Sequence, residues 1–114
     1  MVNLWELYII NKFWLEKVRE FITTNKNYQE KKEEYDLQFW MFGSALKKDK
    51  PNDIDILLLY PINIKDIYGV YKFKKDLKLD MKEYFNIDID LLLLSYEEEE
   101  TINFKKDENC IFIF

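Results

Sequence analysis

Two aliphatic segments that each open with paired aspartates constrain the fold of this chain more than any other feature. Residues 53–60 read Asp-Ile-Asp-Ile-Leu-Leu-Leu-Tyr, and residues 87–95 read Ile-Asp-Ile-Asp-Leu-Leu-Leu-Leu-Ser. Continuous aliphatic runs of this length are typical of strands buried on both faces. Alternate side chains of a strand share a face, so Asp53 and Asp55 are expected to point the same way. Both strands should therefore begin with carboxylates and continue into the core.

The helical content is predicted from the spacing of the apolar residues. This spacing indicates a helix over residues 2–22 and a second over residues 64–85. The polar segment 28–36 is compatible with either a loop or a short helical extension. Ser95 and Glu98 have the spacing of a capping box, which predicts a short acidic helix after the second aliphatic strand.

Two further strands complete the predicted sheet. Leu37–Phe42 is expected to be a buried strand that ends at Gly43-Ser44, and Ile111–Phe114 a short edge strand. The order of elements predicts an α/β (α+β) fold, in which a small mixed sheet is flanked by helices. With 114 residues, the chain is expected to form a single domain over residues 1–114.

The first predicted helix is apolar around more of its circumference than a surface helix requires. Its aromatic residues either complete the core or form an interface with a second protein, which could be another copy of this chain. The residues concerned are Trp5, Tyr8, Phe13 and Trp14.

Composition excludes several classes of function. The chain has no histidine and one cysteine, so Ser-His and Cys-His nucleophile pairs, His-based zinc sites and an internal disulfide are ruled out. The net charge of −5 argues against non-specific nucleic-acid binding. No apolar run is long enough to span a membrane, and the first residues lack the pattern of a signal peptide. These features predict a cytoplasmic protein.

The paired aspartates point to metal-assisted chemistry on a nucleotide. Like charges held side by side repel unless a cation lies between them, and Mg²⁺ prefers oxygen ligands. Asp53 and Asp55 are joined by a third carboxylate from the later strand, either Asp88 or Asp90. Three such groups can hold two Mg²⁺ ions about 4 Å apart. A Gly-Ser turn beside them can offer backbone N–H groups and a hydroxyl to phosphate.

This ordered pattern resembles the DNA polymerase β-like nucleotidyltransferase superfamily, in particular its minimal prokaryotic members. The shared features are an apolar strand, Gly43-Ser44, a spacer, Asp53-Ile54-Asp55 and a later acidic residue, over roughly residues 36–95. Many relatives carry an arginine and a second glycine soon after Gly-Ser, whereas this chain continues Ala45-Leu46-Lys47-Lys48.

The resemblance implies a role for each site residue. Asp53, Asp55 and Asp90 would be the catalytic and metal-binding carboxylates, with Asp90 preferred because relatives place the acid directly before the aliphatic run. Gly43 and Ser44 would contact the nucleotide phosphates, and Lys47 or Lys48 would replace the phosphate contact of the arginine that relatives use there.

The resemblance also implies an activity and a partner. The first reading is a Mg²⁺-dependent nucleotidyltransferase that moves NMP, AMP from ATP, onto a hydroxyl acceptor, which can lie on a helical HEPN-type partner protein of a toxin–antitoxin pair. The alternative is a catalytically degenerate binding module that acts as an antitoxin by binding its partner. The absence of a basic residue that replaces the arginine would favour this alternative.

Overall fold

The computed structural model describes residues 10–114, which form a four-stranded mixed sheet flanked by helices. This confirms the predicted fold class. The helices are α1 (Phe13–Thr23), α2 (Lys26–Tyr35), α3 (Ile67–Phe85), α4 (Tyr96–Ile102) and α5 (Phe104–Asp107). The strands are β1 (Gln38–Phe42), β2 (Asp53–Tyr60), β3 (Asp88–Ser95) and β4 (Ile111–Phe112), and a 3₁₀ helix covers Gly43–Leu46.

The topology of the sheet brings three strand ends together. The strand order is β3-β2-β1-β4, with β2 and β3 parallel and both other pairs antiparallel. Helix α3 is the crossover that a parallel pair requires. Asp55 lies opposite Asp90 on one side and opposite Phe42 on the other. The end of β1 therefore meets the starts of β2 and β3 at one edge of the fold.

The two faces of the sheet are covered differently. Ile54, Ile56 and Leu58 of β2 are fully buried and belong to the core that α1, α2 and α3 complete. Leu57 and Leu59, which alternate with them, are also fully buried. Their face is partly covered by α5, whose residues include Phe104, packed 5.0 Å from the Phe42 ring centre, and Lys105, 4.6 Å from that of Trp40. Burial of β2 on both faces is thus confirmed.

Several predicted boundaries are wrong: β1 and β3 each begin one residue later than predicted, and the starts of two helices lie at local side-chain hydrogen bonds. Within the described part of the predicted helix over 2–22, residues 10–12 are not helical, and the side-chain oxygen of Asn11 accepts a bond from Phe13 N at 2.9 Å. Helix α3 begins at Ile67 rather than at residue 64, because the Asp66 carboxylate caps it by accepting from Gly69 N at 2.9 Å. The predicted edge strand shortens to Ile111–Phe112.

The segment left open between loop and helix is helical. Helix α2 begins after Asn25, whose side chain accepts bonds from the backbone N–H groups of Asn27 and Tyr28. The predicted capping box is confirmed, since Ser95 and Glu98 each accept a backbone hydrogen bond from the other.

The aromatic residues of the first helix divide between core and surface. Trp14 is half-buried and packs against the core, whereas the Phe13 side chain is 45% exposed. Trp5 and Tyr8 lie outside the described residues, so the interface expected from them stays a prediction. Among residues 10–114, no helix has both the length and the apolar character needed to cross a membrane.

Candidate functional site

Three carboxylates meet at the edge where β2 and β3 begin. Asp53, Asp55 and Asp90 each offer an oxygen, and these oxygens all lie within 4.8 Å of one another. In-register parallel pairing produces this cluster, because it puts Asp90 beside Asp55 on the same face of the sheet. Asp53 and Asp55 are half-buried, and Asp90 is exposed. We name these three residues the acidic cluster.

The electrostatics of the acidic cluster are those of negative charges held closer than they favour. The pKa of Asp53 is raised, first by its hydrogen bond to Asp90 and then by burial and the charges of Asp90 and Asp88. The pKa of Asp55 is raised to about 6, chiefly by burial and then by the charges of Asp53 and Asp90. Without a cation, the cluster therefore retains protons more readily than separate carboxylates do.

Gly43 closes the site at the end of β1. Its backbone has φ +78°, a left-handed conformation that side-chain-bearing residues rarely adopt. A β-carbon at this position would overlap the Asp55 carboxylate. The turn can therefore approach the acidic cluster this closely only because residue 43 is glycine.

Ser44 and Lys47 follow Gly43 in and just after the 3₁₀ helix. The carbonyl of Ser44 accepts bonds from Lys47 N at 2.9 Å and Lys48 N at 3.0 Å, which tightens the turn. The Lys47 side chain is exposed, and among residues 10–114 its ammonium forms no ion pair. Gly43 is thus in contact with the acidic cluster and Ser44 adjoins that contact, whereas a phosphate-binding role for Lys47 stays a prediction.

Asp88, the other candidate for the third carboxylate, lies outside the acidic cluster. Its carboxylate forms an ion pair with Lys82 of α3 at 3.1 Å. The pairing register places it beside Asp53, at the very start of β3. The geometry therefore favours Asp90 over Asp88 as a partner of Asp53 and Asp55.

Sequence reasoning missed the effect of two residues on this region. The charge of Glu108 contributes to the raised pKa of Asp55, although Glu108 lies more than fifty residues further along the chain. The indole N–H of Trp14 donates to the Asp49 carbonyl at 2.9 Å, in the connector that leads to β2. Neither residue belongs to a motif, so no sequence signal identifies it.

A groove lies elsewhere in the described part of the chain. It has a volume of about 460 Å³ and lies between α2 and α3, with Tyr28, Tyr35 and Phe73 among its lining residues. The three carboxylates of the acidic cluster are not among its lining residues. We place the candidate site at the cluster because its grouped carboxylates provide ligands for chemistry.

Comparison with known proteins adds no relative to this description. No protein-family model, no curated protein and no solved structure matches the chain. The functional argument therefore rests on the fold and on the acidic cluster with its glycine turn.

Proposed function

We propose that this protein is a Mg²⁺-dependent nucleotidyltransferase that transfers NMP, AMP from ATP, to a hydroxyl acceptor. One observation carries the proposal: Asp53, Asp55 and Asp90 gather at the start of two parallel strands, against a turn that requires glycine. The resemblance noted from the sequence predicts the same residues in the same order. The geometry of the cluster and the resemblance both support the proposal.

The donor set fits a hard divalent cation. All three groups are carboxylates, the ligands that Mg²⁺ and Mn²⁺ prefer. The pKa of Asp53 is raised chiefly by its hydrogen bond to Asp90 and that of Asp55 chiefly by burial, and neighbouring negative charges, which a cation would neutralise, raise both further. Asp53, Asp55 and Asp90 would hold the ions. When bound, Mg²⁺ would neutralise phosphate charge and acidify the acceptor hydroxyl.

Other tasks, phosphate binding and proton transfer, would fall to side chains and backbone groups of the protein. Gly43 and Ser44 open the 3₁₀ helix, where the first backbone N–H groups have no intrahelical partner and can donate to phosphate oxygens. Asp90 is the exposed member of the cluster and is best placed to receive a proton from the acceptor hydroxyl. Positioning and charge compensation are the principal contributions a protein makes to phosphoryl transfer.

Calorimetric titration of ATP, with and without Mg²⁺, tests the proposal. We expect the wild type to bind ATP only with Mg²⁺. The affinity for ATP should fall by about tenfold or more in Asp53→Asn/Asp55→Asn and in Asp90→Asn. Asp88→Asn is the matched control, since it removes a carboxylate from the same strand but outside the acidic cluster. Equal loss in Asp88→Asn and Asp90→Asn would contradict the assignment.

The alternative is a binding module that resembles the enzymes and acts through a partner protein, as an antitoxin does. The departure after Ser44 favours it, because Lys47 is exposed and Lys48 only continues the turn. A folded wild-type protein that binds neither Mn²⁺ nor ATP would support this alternative. A protein that binds both would favour the enzyme, and the hydroxyl acceptor would then be sought on a HEPN-type partner or on a second copy of the chain.

A further inference from the structure

The connector between the glycine turn and β2 has little internal support. Among its residues, Lys47 and Lys48 bond to the Ser44 carbonyl, and the side chains from Lys47 to Lys50 are all exposed. Yet this connector joins Gly43 and Ser44 to Asp53. Movement of the connector would therefore be transmitted to Asp53, which directly follows it, whereas Asp55 is held opposite Phe42 by the pairing of β1 with β2.

Residues at and just before the start of helix α1 form hydrogen bonds that hold the connector in place. Asn11 N donates to the Leu46 carbonyl at 2.7 Å, and the Asn11 side-chain amide donates to the Asp49 carboxylate. Trp14 Nε1 donates to the Asp49 carbonyl at 2.9 Å. Only Lys50, Pro51 and Asn52 separate that anchored residue from Asp53, and Pro51 is buried and restricts the chain.

Trp14 also contacts the segment that leads into β3, the strand that carries Asp90. Its ring packs edge-on against Phe85, with ring centres 5.6 Å apart. Phe85 is the last residue of α3, and only Asn86 and Ile87 separate it from Asp88 at the start of β3. One side chain therefore contacts the segments that precede both β2 and β3.

We propose that Trp14 is a positioning residue for the acidic cluster. Through the Asp49 carbonyl and the Phe85 ring, it holds the segments that lead into β2 and β3, and so the carboxylates at the starts of these paired strands. The proposal rests on the proposed function, because it takes the acidic cluster to be a metal site. Trp14 does not touch the carboxylates. It acts by holding the carboxylates close to the positions that they occupy when a cation binds, so that binding requires less rearrangement.

The test uses Trp14→Phe, which keeps an aromatic ring in the packing and removes the indole N–H. Trp40→Phe is the matched control, because Trp40 also donates its indole N–H, to Gln38 Oε1 at 3.1 Å, but lies on β1 away from the connector. Asp49→Ala is a second variant on an exposed residue and removes the side-chain bond to Asn11. Hydrogen exchange is measured on metal-free protein, and Mn²⁺ affinity by calorimetry.

We expect Trp14→Phe to speed amide exchange in residues 47–52 and to weaken Mn²⁺ binding by about threefold to tenfold, the effect of one net hydrogen bond. Asp49→Ala should also speed exchange and weaken Mn²⁺ binding. Trp40→Phe should change neither the exchange rate of residues 47–52 nor the Mn²⁺ affinity. A merely structural role would lower the melting temperature and leave Mn²⁺ affinity unchanged, which would overturn the inference alone. A folded wild type that binds no Mn²⁺ would overturn the proposed function, and the inference with it.

Discussion

The α-carbon of Gly43 faces the carboxylate of Asp55 so closely that no side chain fits between them. This contact joins the first residue after β1 to Asp55, the member of the acidic cluster that lies opposite the end of β1. It makes residue 43 a sensitive test of whether the turn and the cluster form one site.

Gly43→Ala should both destabilise the protein and disturb the cluster. The left-handed backbone and the overlap with Asp55 together predict a loss of about 1–3 kcal/mol in the free energy of unfolding, measured by urea denaturation. Mg²⁺-dependent ATP binding should weaken as well. In an Asp55→Ala background the substitution should cost less, because only the backbone strain remains. Equal costs in both backgrounds would refute the steric explanation.

Gly69→Ala is expected to show a different consequence of close packing. Alanine usually stabilises a helix over glycine by about 1 kcal/mol. Here a β-carbon would overlap the Tyr35 hydroxyl and the Asp66 carboxylate, so thermal denaturation should show a loss instead. Combining it with Tyr35→Phe should recover part of that loss. Mn²⁺ affinity should stay unchanged in both variants, which makes Gly69→Ala a control for Gly43→Ala.

The pKa of Asp55 predicts how stability depends on pH in metal-free protein. This pKa is about 6, against an ordinary value of 3.8, so between these values the folded state holds a proton that the unfolded chain has released. The contribution of Asp55 to stability is therefore present at low pH and is lost as pH rises through about 6. Asp55→Asn avoids this loss, because an amide does not ionise.

Urea denaturation with a chelator, at about pH 4 and about pH 7, measures the effect. Relative to wild type, Asp55→Asn should be more stable at the higher pH by roughly 1 kcal/mol, a figure reduced for the partial exposure of the group. Saturating Mg²⁺ should stabilise the wild type more than the variant. A stability difference that does not change with pH would show that Asp55 ionises normally.

Ser95→Ala should destabilise the junction between β3 and α4. Ser95 is fully buried, and its hydroxyl accepts a bond from Glu98 N at 3.0 Å. Loss of this cap is expected to reduce the free energy of unfolding by about 1 kcal/mol. Ser95→Thr keeps an N-cap oxygen and should recover much of the loss unless its extra methyl is excluded. A fully stable Ser95→Ala protein would mean that the cap contributes nothing.

The strands were predictable because their burial is visible in the sequence. Unbroken aliphatic runs occur in few environments other than buried strands. The bounds of β2 are accordingly as expected, and β3 starts only one residue later than expected. Apolar periodicity does not predict helix α2, because the helix is polar apart from Tyr28 and Tyr35, which supply its buried surface. The start of α3 depends on the Asp66 side-chain cap, and that of α1 lies beside the bond from Phe13 N to the Asn11 side chain; periodicity reveals neither.

The site was predictable in part for the same reason. Alternation along a strand places Asp53 with Asp55, and it also leaves Asp88 and Asp90 equivalent. Only the pairing register and the ion pair with Lys82 distinguish these two. The influence of Glu108 on Asp55 arises from tertiary packing and has no local signature.

The parallel pairing of β2 with β3 also affects how the protein folds. A parallel pair forms only after the intervening crossover has brought the strands together, which makes it slower than a hairpin such as β1–β2. We expect Asp90 to reach Asp53 and Asp55 late, when the hydrophobic core already opposes their repulsion. A divalent cation would then slow unfolding rather than speed refolding, because the cluster that binds it is absent from the transition state.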